Sequence, residues 1–255
     1  MTKKPIFVTE PSLPPLEEYT KLLREIWDNK IFTNNGPFVK KFEKEISKKL
    51  KIRNFISTTS GTTALQIAIK SLGLKGEVIT TPFSWIATIS AMKCEGCEPV
   101  FCDIEPDTFN IDPNKIEKCI TDKTVAIVPV HSFGNPCDID AIDLIAKKYN
   151  LKVVYDAAHS IGSTYKNKSI LDYGNISATS LHCTKLINTA EGGGCITTDK
   201  GLHEKIKRIR FFGYDENRDV VGDGLNGKMT EIHAALGLAN LKYYDEVLQD
   251  RKNKY

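Results

Sequence analysis

Asn54-Phe55-Ile56-Ser57-Thr58-Thr59-Ser60-Gly61-Thr62-Thr63-Ala64-Leu65 changes its period in mid-stretch. A short β-rich run, Asn54–Ser57, passes through small hydroxylated residues and one glycine into a helical pattern over Thr63–Leu72. Downstream the alternation repeats: Glu77–Thr80 before Trp85–Cys94, Pro99–Asp103 before Pro113–Cys119, and Val125–Val130 before Ile139–Tyr149. Strands that alternate with helices imply an α/β domain with a mainly parallel sheet. Val153–Tyr155, Ala178–Leu181 and Gly194–Thr197 add three candidate strands, and His203–Phe211 and a long run over Met229–Leu248 add helices. Upstream, Leu16–Trp27 and Phe38–Leu50 carry apolar residues at helical spacing with Lys and Glu opposite, which predicts two solvent-facing helices leading into the domain.

Composition narrows the function classes. With 41% hydrophobic and 26% charged residues in 255, the chain has the makings of an ordinary globular core, which excludes disorder and a disulfide-stapled miniprotein. Thirty-five Lys plus Arg against 32 Asp plus Glu leave a net charge of +3, too small to imply a nucleic-acid or membrane partner. Met1–Ile6 is not followed by an apolar stretch of signal-peptide length, and no segment approaches the ~18 apolar residues of a membrane helix. A cytoplasmic protein is the expectation. Seven cysteines, an odd count dispersed through apolar segments, read as reduced thiols, and the Cys94-x-x-Cys97 pair lacks the further ligands of a zinc site.

Ligands of open α/β sheets sit at the carboxyl ends of the strands, so the residues just past each strand carry the information. Ser57–Ala64 places hydroxyls and a glycine at a helix start, either an anion site or a simple N-cap. Thr81-Pro82-Phe83-Ser84-Trp85 offers aromatics for a flat ligand or for the core. Asp156-Ala157-Ala158-His159 puts a carboxylate at a strand end, which needs a cationic or donor partner if buried. In Ser180-Leu181-His182-Cys183-Thr184-Lys185, followed by Glu191-Gly192-Gly193-Gly194, the lysine is either a snorkelling side chain or a desolvated amine able to form a Schiff base. An anion cradle, an aromatic plate, a strand-end carboxylate and a lysine are together what pyridoxal phosphate requires.

This ordered set resembles the DegT/DnrJ/EryC1/StrS sugar aminotransferases, fold-type-I pyridoxal phosphate enzymes. The resemblance runs from Asn35-Gly36-Pro37 and Phe42-Glu43 through Ser60-Gly61-Thr62, Asp156–His159 and Ser180–Lys185 to Gly224-Leu225-Asn226-Gly227-Lys228-Met229-Thr230-Glu231. It implies a three-layer sandwich with a mainly parallel mixed sheet, like the large domain of aspartate aminotransferase. Lys185 would bond the cofactor aldehyde and Asp156 would pair with the pyridine nitrogen, these two being catalytic. Trp85 would stack on the ring, His159 would lie near the phenolic oxygen, and Gly61, Thr62 and Ser180 would hold the phosphate. Asn226 would reach the phosphate in the neighbouring subunit, so that a homodimer shares its active sites. The implied reaction transfers an amino group, with glutamate as donor, to a nucleotide-linked keto-sugar in surface-polysaccharide or amino-sugar biosynthesis. The contrasting expectation is a non-catalytic dimerisation or regulatory module.

Two departures from the family pattern stand out. Gly227-Lys228 replaces an aromatic and an arginine. Residues 1–240 are expected to form the cofactor-binding large domain with its N-terminal helices, and 241–255 the end of a long helix leading to a small C-terminal domain that this chain lacks. Leu241 and Leu248 would then be partly exposed or covered by another subunit. Gly222-Asp223-Gly224-Leu225-Asn226-Gly227 matches G-x-G-x-x-G, but a polar segment precedes it and no βαβ unit follows, and Met229 stands where a P-loop needs Ser or Thr.

Overall fold

A computed structural model describes residues 9–254. The Met1–Ile6 segment weighed above lies outside the described residues, as does Tyr255. Helix α1 (Leu16–Asn29) and helix α2 (Pro37–Leu50) lead into strand β1 (Ile56–Thr58) and helix α3 (Gly61–Leu72). Strand β2 (Glu77–Thr80), helix α4 (Ile86–Cys94), strand β3 (Glu98–Phe101) and the single turn α5 (Pro113–Ile116) follow. Strand β4 (Thr124–Ile127), helix α6 (Ile139–Lys148) and strand β5 (Lys152–Asp156) complete the alternating part. A small hairpin, β6 (Thr164–Tyr165) with β7 (Lys168–Ser169), precedes β8 (Ile176–Ser180) and β9 (Gly193–Ile196). Helices α7 (Lys200–Arg210), α8 (Glu231–Leu241) and α9 (Tyr244–Lys254) close the described chain.

The main sheet has seven strands in the order β1-β9-β8-β5-β4-β2-β3. Its pairs are parallel except where β9 runs against both β1 and β8, so the sheet is mixed but mainly parallel. Alternation along each strand builds two faces. Val78, Ala126, Val128 and Val154 turn to the side packed by α3, α4 and α7, whereas Ile79, Ile127, Val153 and Tyr155 turn to the side packed by α5 and α6. The second side continues under α1, α2 and α8, where Phe42, Ile46, Phe55, Ile196 and Leu238 form one cluster. Helices on both faces make the expected three layers.

Local chemistry sets the helix ends. Ser60 caps α3 by accepting from Thr63 N–H at 3.1 Å, and Gly73 ends that helix at φ +67°. Asp199 caps α7 by accepting from Leu202 N–H at 2.8 Å, so this helix begins at Lys200 rather than at His203. Glu231 is fully buried and accepts from Phe38 and Val39 N–H at 2.7 and 3.1 Å, holding the start of α2. A Cβ at Gly36 would stand 2.7 Å from that carboxyl, which accounts for the glycine in Asn35-Gly36-Pro37.

The expected long helix over Met229–Leu248 is instead two helices, a correction to the helix assigned to 241–255. The chain breaks at Lys242-Tyr243, whose side chains both reach Glu18 on α1. Tyr244 can then enter the core at the head of α9. Leu241 is buried in this chain's own core, a correction to its expected exposure, whereas Leu248 packs against that core and stays partly exposed as expected. All seven cysteines are free thiols. Among the described residues no helix is long and apolar enough to cross a membrane.

Candidate active site

The carboxyl ends of β1, β5 and β8 converge with the first turns of α3 and α4. Asp156 ends β5 and is only 5% exposed. Its Oδ2 accepts from the Thr88 hydroxyl at 2.6 Å and its Oδ1 from Ala158 N–H at 3.1 Å. Burial raises its pKa, against which these two donors and the charge of Lys185 pull it down. Thr88, in the first turn of α4, is the partner that sequence reasoning misses. Nothing marks a threonine 68 residues upstream until the fold lays α4 across the end of β5.

Lys185 stands half-buried in the loop after β8, where burial lowers its pKa and Asp156 raises it. His159 is exposed, yet the protein packed around it and the charge of Lys185 hold its pKa down. Lys185, His159, Ala158, Thr184, Phe133 and Arg251 line a cavity of about 280 Å³. Phe133 adopts φ +55° and is 73% exposed, stacked edge-on to Phe83 and Phe109. Neither Phe133 nor Arg251 carries a motif that would select it from the sequence. Trp85 stands at the head of α4 with 79% of its surface free, beside the strand-end face rather than inside the core.

At the next corner, Gly61 opens α3 directly against Ser180, the last residue of β8. A Cβ at Gly61 would lie 2.9 Å from the Ser180 Cβ. The adjoining strand packs as closely, since a Cβ at Gly193 would lie 2.5 Å from the Ser60 carbonyl carbon. The Ser180 hydroxyl accepts from His182 N–H at 3.2 Å, and Thr62 follows Gly61 in the first turn of the helix. Backbone N–H groups at a helix start, with hydroxyls around them and no Cβ in the way, form an anion cradle.

The structure thus brings Asp156, His159 and Lys185 to one place and Gly61, Thr62 and Ser180 to its edge. Asn226 is exposed on the loop between α7 and α8, where its backbone bridges to Phe211 and the adjoining Gly227 O accepts from Thr59 N–H before α3. That loop also contains Gly222–Gly227, which follows no strand of a βαβ unit, in keeping with the rejection of a dinucleotide fingerprint.

These residues fit pyridoxal phosphate on structural grounds. A buried strand-end carboxylate awaits a cation, a desolvated amine faces it, and the cradle is one that a Cβ would fill. Comparison with known proteins agrees. The model of the DegT/DnrJ/EryC1/StrS aminotransferase family matches residues 16–255. A dTDP-4-amino-4,6-dideoxy-D-glucose transaminase of Shigella dysenteriae is 49% identical over 98% of this chain and 68% of its own length. A GDP-perosamine synthase of Caulobacter vibrioides is 38% identical over 89% of this chain and 62% of its own length. The crystal structure of NtdA from Bacillus subtilis with bound cofactor PMP superposes with a TM-score of 0.84 at 35% identity, covering 95% of this chain and 58% of that one. The chain thus spans about three fifths to two thirds of the length of these relatives. Matched by that family model over residues 16–255 and 49% identical to the Shigella transaminase, the chain belongs to the DegT/DnrJ/EryC1/StrS aminotransferase family.

Proposed function

We propose that this chain carries the cofactor site of a pyridoxal-phosphate aminotransferase that moves an amino group from glutamate to a nucleotide-linked keto-sugar. One observation carries the reading above the rest. Asp156 is buried at a strand end with two neutral donors and no bonded cation among the described residues, while a desolvated Lys185 acts on it through space. A carboxylate so placed is costly for the fold alone. The names of relatives that handle dTDP- and GDP-linked sugars support the substrate class.

When bound, pyridoxal phosphate supplies an electron sink for charge that develops at the substrate carbon. Asp156 would hold the pyridine nitrogen and keep it protonated, because an anion beside a basic nitrogen favours the charged form. Lys185 would hold the cofactor at rest and, once displaced by the donor amine, would carry the proton between the substrate carbon and the cofactor carbon. Its lowered pKa enlarges the neutral fraction that a base needs near pH 7. Trp85 would cover one ring face, His159 would contact the phenolic oxygen, and Gly61, Thr62 and Ser180 would bind the phosphate. Asn226 would complete the partner's site in a homodimer, the role that the family resemblance implies. The rival reading, a non-catalytic module, gains no support from a chain that keeps Lys185 and Asp156 in register.

Lys185→Ala tests the proposal. The variant is expected to lose the near-visible absorbance of lysine-bound cofactor, together with release of 2-oxoglutarate from glutamate and a panel of nucleotide keto-sugars. A variant that still transfers amino groups removes Lys185 from the mechanism.

A further inference from the structure

Where the family pattern has an aromatic and an arginine, this chain has Gly227-Lys228, and the structure uses both to fix Asn226. A Cβ at Gly227 would lie 2.9 Å from Ile67 Cδ1 and 3.2 Å from Thr63 Cγ2, so the glycine lets the loop pack closely on α3. The glycine backbone is tied at both ends: Gly227 N–H donates to Arg210 O, and Gly227 O accepts from Thr59 N–H, each at 3.0 Å. This fastens the loop to the turn that begins α3. Asn226 itself bridges to Phe211, which pins its backbone.

Lys228 pins the side chain. It is 6% exposed, with its Nζ 4.2 Å from the ring centre of Phe212 and 5.0 Å from that of Phe211, and it donates to Asn226 Oδ1. An ammonium has donors only, so only the oxygen end of the Asn226 amide can face it. Both hydrogens on Asn226 Nδ2 therefore point away from Lys228, and among the described residues no acceptor receives them. The cation behind the carbonyl also polarises the amide and strengthens its N–H donors.

We propose that Lys228 is a positioning residue that holds Asn226 as an outward-facing double donor for the cofactor phosphate of the partner subunit. The inference rests on the shared-site homodimer proposed above. Methionine at 228 could still cover the Phe211 and Phe212 rings, but it leaves Asn226 Oδ1 unpaired and the amide free to rotate. Arginine retains the donor. The ligand is recognised by its phosphate, so the effect must depend on that group and not on the pyridine ring.

The test uses the whole chain and reads cofactor binding by near-visible absorbance, with pyridoxal phosphate and phosphate-free pyridoxal compared. Lys228→Met is expected to weaken pyridoxal phosphate about tenfold, the scale of one lost charge-assisted hydrogen bond, and to leave pyridoxal unchanged. Lys228→Arg restores binding. Asn226→Ala gives the same phosphate-specific loss, and the double variant loses no more than either single one. Equal weakening of both ligands, no weakening of either, or additive losses would overturn the positioning role. Mixing Lys185→Ala chains with Lys228→Met chains rebuilds one native site per dimer and should recover tight binding. If the wild type sediments as a dimer and the mixture recovers nothing, Lys228 serves its own chain and the inference fails. A monomeric wild type overturns the shared-site reading itself.

Discussion

At the scale of single residues, the site is built against the stability of the fold. Burial raises the Asp156 pKa, so the native chain binds this proton more tightly than the unfolded chain does. Stability is therefore lost as pH rises from the ordinary carboxylate range through the raised value. Asp156→Asn should stabilise the cofactor-free protein by on the order of 1 kcal/mol at pH 7. Asparagine fits the local bonds. Its oxygen can accept from Ala158 N–H and its amide can donate to Thr88, whose own hydrogen turns to Ser84 Oγ at 2.6 Å. Thermal melts across pH check this: the gain over wild type should vanish below about pH 4, where both states of the wild type are protonated. A variant less stable than wild type at pH 7 would refute the account. Asp156 is legible in sequence because it ends a strand, and Lys185 because it follows one within a hydroxyl-rich segment. Thr88 is not, since its only qualification is a contact across the sheet.

Among the elements, the anion cradle depends on how closely α3 approaches β8. Gly61→Ala places a Cβ 2.9 Å from the Ser180 Cβ, and Ser180 sits in a fully buried strand with little freedom to retreat. The expected cost is about 1–3 kcal/mol in a denaturant melt, with helix content retained. Cofactor affinity should fall with it, and an unchanged affinity would mean that the turn does not bind phosphate. Strand β1 and helix α3 at this corner are readable from period alone, because the period changes between them at the Ser60-Gly61 turn. Elsewhere the pattern misleads. Lys166 and Asn167, both at positive φ, turn the β6–β7 hairpin without the Asn-Gly or Asp-Gly pair that would announce it. The apolar spacing runs unbroken through Lys242-Tyr243, although a tertiary anchor, Glu18, ends the helix there.

For the whole molecule, an ion pair between a buried arginine and a part-buried glutamate links the layers. Arg210 from α7 is 2% exposed and meets Glu43 of α2, and it also donates to Ser57 O at 2.8 Å on β1. Arg210→Met leaves the part-buried Glu43 without its cation but with the Ser57 N–H and hydroxyl as donors, and the expected cost is about 1–3 kcal/mol. The midpoint of denaturation should fall accordingly, and adding Glu43→Gln should return part of the loss. A single variant as stable as wild type would show that the layers do not depend on the pair. The same corner has a consequence in time. Strand β1 stands at the sheet edge, and its one neighbour is β9. Cys195 of β9 donates to Ala64 O, 131 positions earlier in the chain. At roughly 5–20 residues per second of synthesis, the Ser57–Thr62 turn waits on the order of ten seconds for the strand that completes it. During that interval β1 has no sheet partner, and a growing chain offers no finished seat for a phosphate.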